Sequence, residues 1–189
     1  MQADTLSGGF AYPPIDAARA FRAVMRVMAR PGTIEAVTGV TPPAPLSVAA
    51  GTVLLTLCDP ETPVHLAGAA DCAAVRDWIT FHTGAPLVAR AEAMFAIGRW
   101  DALMPLDDYV RGTSEYPDRS ATLIVEMAQL EATGARLTGP GIADTAALSL
   151  PEVAAFQTNA RAFPLGLDFL FTCGDRVAAL PRSTRVEGQ

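Results

Sequence analysis

The sequence predicts an α/β fold: a single domain with a mixed β-sheet flanked by helices. Three observations carry this. Apolar runs of strand length alternate with segments of helical period, and the last two runs flank a tight Cys173-Gly174-Asp175 turn that demands an antiparallel hairpin. A length of 189 residues leaves little room for more than one domain, taken as residues 1–189. Half of the residues are hydrophobic, and 15 Gly with 15 Pro fall short of a low-complexity composition, so the chain folds. It contains no internal repeat and no linker.

The first helix is predicted from a cap at Asp16 to about Ala29, where Pro31-Gly32 stops it. Phe21, Val24, Met25 and Met28 share one face as the inward one, and Arg19, Arg22, Arg26 and Arg30 line another. These arginines fall within roughly 80° on a helical wheel. Such a stripe is either a solvated face or a docking surface for an acidic partner or a phosphate. A short strand follows at Thr33 to Val37, then a Pro-rich connector, then TVLLTL (52–57), read as a buried strand.

Asp59 to Pro63 form a turn cluster. A second helix runs from a cap at Asp71 to about Thr83, turns Val75, Trp78 and Ile79 inward and closes on Gly84, after which Ala85-Pro86 restarts extended chain. AMFAI (93–97) and ATLIVEM (121–127) read as strands around a polar stretch with a short helix near Leu106 to Val110. ARLTGPGI (135–142) is a strand followed by a Gly-Pro-Gly turn. Ser149 then caps a helix that carries Val153, Ala154 and Phe156 and ends before Phe163-Pro164. LDFLFT and RVAALP close the chain as the hairpin.

The formal charge of -6 gives no basic footprint for nucleic acid. All 14 basic residues are arginine, so chemistry that needs a lysine amine, from a pyridoxal Schiff base to a Walker A lysine, is excluded. Cys58, Cys72 and Cys173 stand far apart and read as reduced, buried small hydrophobes. The N-terminal string MQADTLSGGFAYPP has no basic start and no apolar core, so it is not a signal peptide. The uncharged stretch 36–58 is broken by Pro42, Pro43 and Pro45, against a membrane span. A cytoplasmic location is expected. Charges are sparse for a surface of roughly 8,600 Å², and mean hydropathy is +0.26, so an obligate assembly is expected.

No complete active site is visible. The Cys and His residues match no zinc spacing, so no metal is expected, and no GxSxG nucleophile motif occurs. A thiol nucleophile at Cys58 or Cys173 has no base paired to it in the sequence. His82 lies at a helix C-terminus, where it can cap open carbonyls or meet a ligand. Arg136, Gly139 and Gly141 belong to the LTGPGI turn, a candidate anion nest or an ordinary tight turn. Arg182 and Thr184 in PRST suit a phosphate or carboxylate, or else an exposed tail.

The strings FRAVMRVMARPG, TVLLTLCDPETPV, FHTGAPLV, ATLIV, LTGPGI and FPLGLDFLFTCGDRVAALPRSTRVE, in that order over nearly the whole chain, together resemble the PhnH family of the bacterial carbon-phosphorus lyase system. The resemblance implies a protein of organic phosphonate breakdown, similar in fold to the large domain of pyridoxal-phosphate-dependent transferases but without that cofactor. It implies a homodimer that joins PhnG, PhnI and PhnJ. With PhnL, these support formation of α-D-ribose 1-methylphosphonate 5-triphosphate from ATP and methylphosphonate, and PhnJ, an iron-sulfur radical enzyme, later cleaves the carbon-phosphorus bond. No catalytic residue carries over and no cofactor is implied. At Arg30 the chain departs from the acidic residue of the family string before Pro-Gly, so the arginine stripe is not read as a family feature.

Two functions are therefore expected. The first is a subunit, not catalytic alone, of the carbon-phosphorus lyase core complex. The alternative is a stand-alone binder or enzyme for an anionic phosphorylated small molecule gathered by His82, Arg136 and Arg182.

Overall fold

Leu123, Ile124 and Val125 are consecutive in one strand and all fully shielded, which a sheet permits only when both of its faces are covered. A computed structural model describes residues 7–188; the first six residues of the N-terminal string and the last residue of the predicted domain lie outside them. Along the chain run α1 (Pro13–Ala29), β1 (Glu35–Ala36), α2 (Val48–Leu57), β2 (Val64–Leu66), α3 (Ala73–Thr83), β3 (Phe95–Arg99), α4 (Trp100–Leu103), β4 (Thr122–Glu126), β5 (Ala135–Thr138), β6 (Ala146–Leu148), α5 (Val153–Arg161), β7 (Asp168–Cys173), β8 (Arg176–Leu180) and β9 (Arg185–Glu187). Six strands form a mixed sheet in the order β1-β8-β7-β4-β3-β2, in which β2, β3, β4 and β7 are parallel and β8 is antiparallel to both of its neighbours. A second sheet has the order β6-β5-β9, all antiparallel.

Alternation along the strands divides the core. Val64, Ile97, Ile124, Leu170 and Val177 pack beneath α1, α2 and α3 on one face. Leu123, Val125, Phe169 and Phe171 pack on the other face against α4, α5 and the inner side of the small sheet, through Leu103, Phe156, Leu137 and Val186.

The terminal hairpin forms as expected, with Gly174-Asp175 as its two-residue loop. Positive φ is confined to Gly174, the first central position, as a II′ turn requires. Helix α3 ends as its sequence predicts, on Gly84 at φ 69°. Asp71 is not its cap, however; it pairs with Arg76, and Cys72 occupies the cap position.

The expected strand at TVLLTL is instead part of helix α2. An uncharged run buried on every side has no polar face to betray its period, so length alone misleads. Ser47 starts the helix by accepting from the Ala50 amide at 3.1 Å, and Thr52 and Thr56 satisfy their hydroxyls on the carbonyls four residues back.

The inward face of α1 also differs. Ala20, Ala23, Val24 and Val27 are buried, whereas Phe21 and Met25 are 47% and 50% exposed. The buried face is turned by roughly 100° from the one that the large side chains suggest. The cause is the close neighbour: α1 packs against α2 through small residues, which let the two backbones approach. Asp16 lies inside the first turn and reaches back to the Tyr12 amide at 2.9 Å. Ser149 likewise does not cap α5, where Glu152 precedes the helix; the Ser149 hydroxyl accepts from Glu131 N at 2.9 Å. Leu106–Asp108 is a single 3₁₀ turn, and β2, β6 and β9, too short to carry a pattern, join the predicted strands. Among the described residues no helix is long and apolar enough to cross a membrane.

The LTGPGI turn packs on the end of α1. A Cβ at Gly141, whose φ is +81°, would lie 1.9 Å from the Ala29 carbonyl oxygen. Gly141→Ala is therefore expected to cost about 3 kcal/mol in a urea titration. Gly174→Ala, at φ +61° with no atom within 4 Å of the new carbon, should cost only about 1 kcal/mol.

Candidate functional site

In sheets of this kind the carboxyl ends of parallel strands are where the chain opens a crevice, at the point where successive connections leave on opposite faces. Here the chain leaves β2 for α3 on one face and leaves β3 for α4 on the other. A pocket of about 280 Å³ lies at that point. It is bounded by Ala69 and Ala70 after β2, Gly98 and Arg99 of β3, Glu126 and Met127 at the end of β4, Gly174 after β7, and Pro45 to Ser47 at the start of α2.

Three polar side chains occupy neighbouring register positions at this edge. Arg99 is opposite Glu126, and Glu126 is opposite Thr172. The Ser47 amide donates to Glu126 Oε1 at 2.7 Å, and the Thr172 hydroxyl donates to Oε2 at 3.1 Å. Burial pushes the Glu126 carboxyl above its ordinary range, against the opposing pull of the Ser47 and Thr172 hydrogen bonds. Each oxygen keeps a lone pair for the pocket. Arg99 is largely exposed at the rim, 3.9 Å from Asp101. The sequence signal for this site is a lone acidic residue that ends the apolar strand ATLIVE, one register step from a threonine that ends another.

The residues expected around an anion lie in different parts of the fold. His82 is on α3, on one side of the large sheet, and Arg136 is on β5, on the other. The His82 ring is 5.0 Å from Trp78 and 5.0 Å from Phe81. Gly9 lies against it so closely that a Cβ there would come within 2.5 Å of the ring. Its Nε2 is buried with no hydrogen-bond partner among the described residues, so it caps no carbonyl through that atom. Arg136 pairs with Glu187 at 3.2 Å.

Arg182 is committed to Asp168: its amide and Nε reach Oδ1 at 2.8 and 3.2 Å, one terminal nitrogen reaches Oδ2 at 2.5 Å, and the other donates to the Pro117 carbonyl. Both partners are at least four-fifths buried. Thr184 is buried, its hydroxyl unpartnered among the described residues. Gly139 takes φ +131° where the strand passes the Ser183 carbonyl.

On α1 and at its C-cap Arg30, all four arginines of the stripe are exposed. Arg26 forms a bidentate pair with Glu35 at 2.9 and 3.0 Å, and Arg19 is 3.8 Å from Asp16. Arg22 and Arg30 have no carboxylate partner among the described residues. The Cys58 thiol is pushed up to about 12 by burial, which suits a packing role. Cys72 and Cys173 are only half-buried, because each sits at the end of its element. Among the described residues, no three His, Cys, Asp or Glu side chains gather as a metal would require.

Residues 8–187 match the family described as bacterial phosphonate metabolism protein (PhnH). The chain is 41% identical over 195 residues, covering 98% of each, to α-D-ribose 1-methylphosphonate 5-triphosphate synthase subunit PhnH of Rhizobium meliloti (strain 1021). It is 33% identical over 81 residues, 40% of this chain and 42% of the other, to a Stutzerimonas stutzeri protein named "Putative C-P lyase subunit protein HtxG".

Two outcomes follow from this geometry. Because the folded state raises the Glu126 value above 4.5, it holds the proton more tightly than the unfolded chain does. The Glu126 contribution to stability therefore falls as pH rises from about 4.5 through the raised value. Urea titrations across that window should show Glu126→Gln gaining on the parent as pH rises. Arg182→Ala leaves the Asp168 carboxylate buried without its counter-ion and should lower unfolding free energy by about 3 kcal/mol.

Proposed function

We propose that this chain, which belongs to the PhnH family of bacterial phosphonate metabolism proteins, is a cytoplasmic, homodimeric subunit of the synthase that makes α-D-ribose 1-methylphosphonate 5-triphosphate from ATP and methylphosphonate. In this reading it acts with PhnG, PhnI and PhnL, joins PhnJ in the core complex, and is not catalytic alone. The observation that carries the reading is the full-length match to a synthase subunit of that name. The geometry supports it in two ways. Among the described residues the pocket is lined by a single carboxylate, Glu126, whose hydrogen bonds are to Ser47 and Thr172, and by no histidine, cysteine or second acid. The exposed side of α1 carries Phe21 and Met25, 47% and 50% exposed, as apolar surface that a partner subunit would cover.

The docking face in this reading is α1, with Phe21 and Met25 as anchors and, of the stripe Arg19, Arg22, Arg26 and Arg30, chiefly Arg22 and Arg30 meeting an acidic surface of a partner subunit, since Arg19 and Arg26 already face Asp16 and Glu35. Coexpression with PhnG, PhnI and PhnJ is expected to yield one complex, while the isolated chain turns over no phosphonate. Phe21→Asp with Met25→Asp should weaken copurification by at least about tenfold without moving the thermal midpoint of the isolated chain. Full activity of the pure chain would overturn the reading.

A further inference from the structure

The pocket at the carboxyl ends of β2, β3, β4 and β7 is unusual in what it offers. Four of its backbone amides are spent elsewhere: Leu46 N on Pro43 O, Ser47 N on Glu126, Ala70 N on Ala67 O and Met127 N on Thr172 O. Its walls are apolar at Leu46, Ala69, Ala70 and Met127. The charged acceptor of the interior is the Glu126 carboxylate, with Ser47 beside it, while the charged donor, Arg99, stands at the mouth. A ligand suited to this arrangement donates from its buried end and is anionic at its outer end. A bare cation is a poor fit, because one carboxylate whose charge is already disfavoured by burial supplies too little.

Neighbouring hydroxyls on a sugar match the two oxygens of a carboxylate, and an acid at the carboxyl edge of a parallel sheet is a general device for holding ribose hydroxyls. The volume of about 280 Å³ sits near the lower end for ligand pockets, room for one sugar-sized group. We infer that this pocket binds a ribosyl group carrying a phosphate or phosphonate, with Glu126 accepting from adjacent sugar hydroxyls and Arg99 pairing with the anionic group outside. The choice of ribose among polyols rests on the proposed synthase role; the hydroxyl-accepting site itself does not.

Titration of the isolated full-length chain with ribose 5-phosphate, followed by calorimetry and by the methyl resonances of Ala69, Ala70 and Met127, tests this. Saturable binding is expected, with those methyls shifting. Glu126→Gln should lower affinity at least about tenfold while the chain stays folded. Arg99→Ala, at an exposed side chain, should weaken ribose 5-phosphate but leave free ribose unchanged. 2-Deoxyribose 5-phosphate should bind more weakly than its parent, and inorganic phosphate should not displace the sugar. No saturation, unmoved methyls, or binding insensitive to both variants would overturn the inference. Copurification with partner subunits but no sugar binding would sink this inference alone. Sugar binding without copurification would sink the synthase reading and leave the site standing.

Discussion

Burial of the central sheet on both faces is the constraint from which the rest follows. With Leu123, Ile124 and Val125 wholly shielded, the middle of the sheet has no room for a ligand on either face. What remains is the edge where parallel strands end, and there the chain places polar side chains in adjacent register rather than at random. The same constraint explains why the helices on one face carry so few charges inward and why α2 carries none at all. It also explains why the arginine stripe on α1 and Arg136 on the small sheet lie around the outside of the layers, and why Arg182, which is buried, is matched by a carboxylate.

Much of this was legible in the chain. The hairpin followed from Cys173-Gly174-Asp175, α3 from its apolar spacing and Gly84, and β3, β4 and β7 from their unbroken apolar runs, though not their parallel pairing. The hairpin register places Asp168 one step beyond the Phe169 and Leu180 rung, opposite Pro181 and so beside Arg182, a pairing that the hairpin alone could have suggested. Other features were hidden for physical reasons. TVLLTL has no polar face, so strand and helix look alike. The face of α1 was set by α2, a neighbour whose identity as a helix was itself concealed, and small alanines outcompeted Phe21 and Met25 for the interior. Glu126 looked like the end of a strand because its partners, Ser47 and Thr172, are 79 and 46 residues away.

The family match and the physical reading meet at different depths. The match covers the length of the chain and names a synthase subunit; the residues supply the places where such a subunit would do its work. Arg182, which the sequence offered for an anion, holds a neighbouring carboxylate instead, so its value lies in keeping the ends of β7 and β8 together. The acidic group that the sequence left unremarked stands over the crevice.

Glu126 has a double attachment that ordinary pocket residues lack. One of its oxygens holds the opening amide of α2, the helix that runs through the middle of one half of the interior. Rim and spine are in this sense stitched by a single thread: the carboxylate that faces the crevice also fixes the first turn of the helix on which α1 packs.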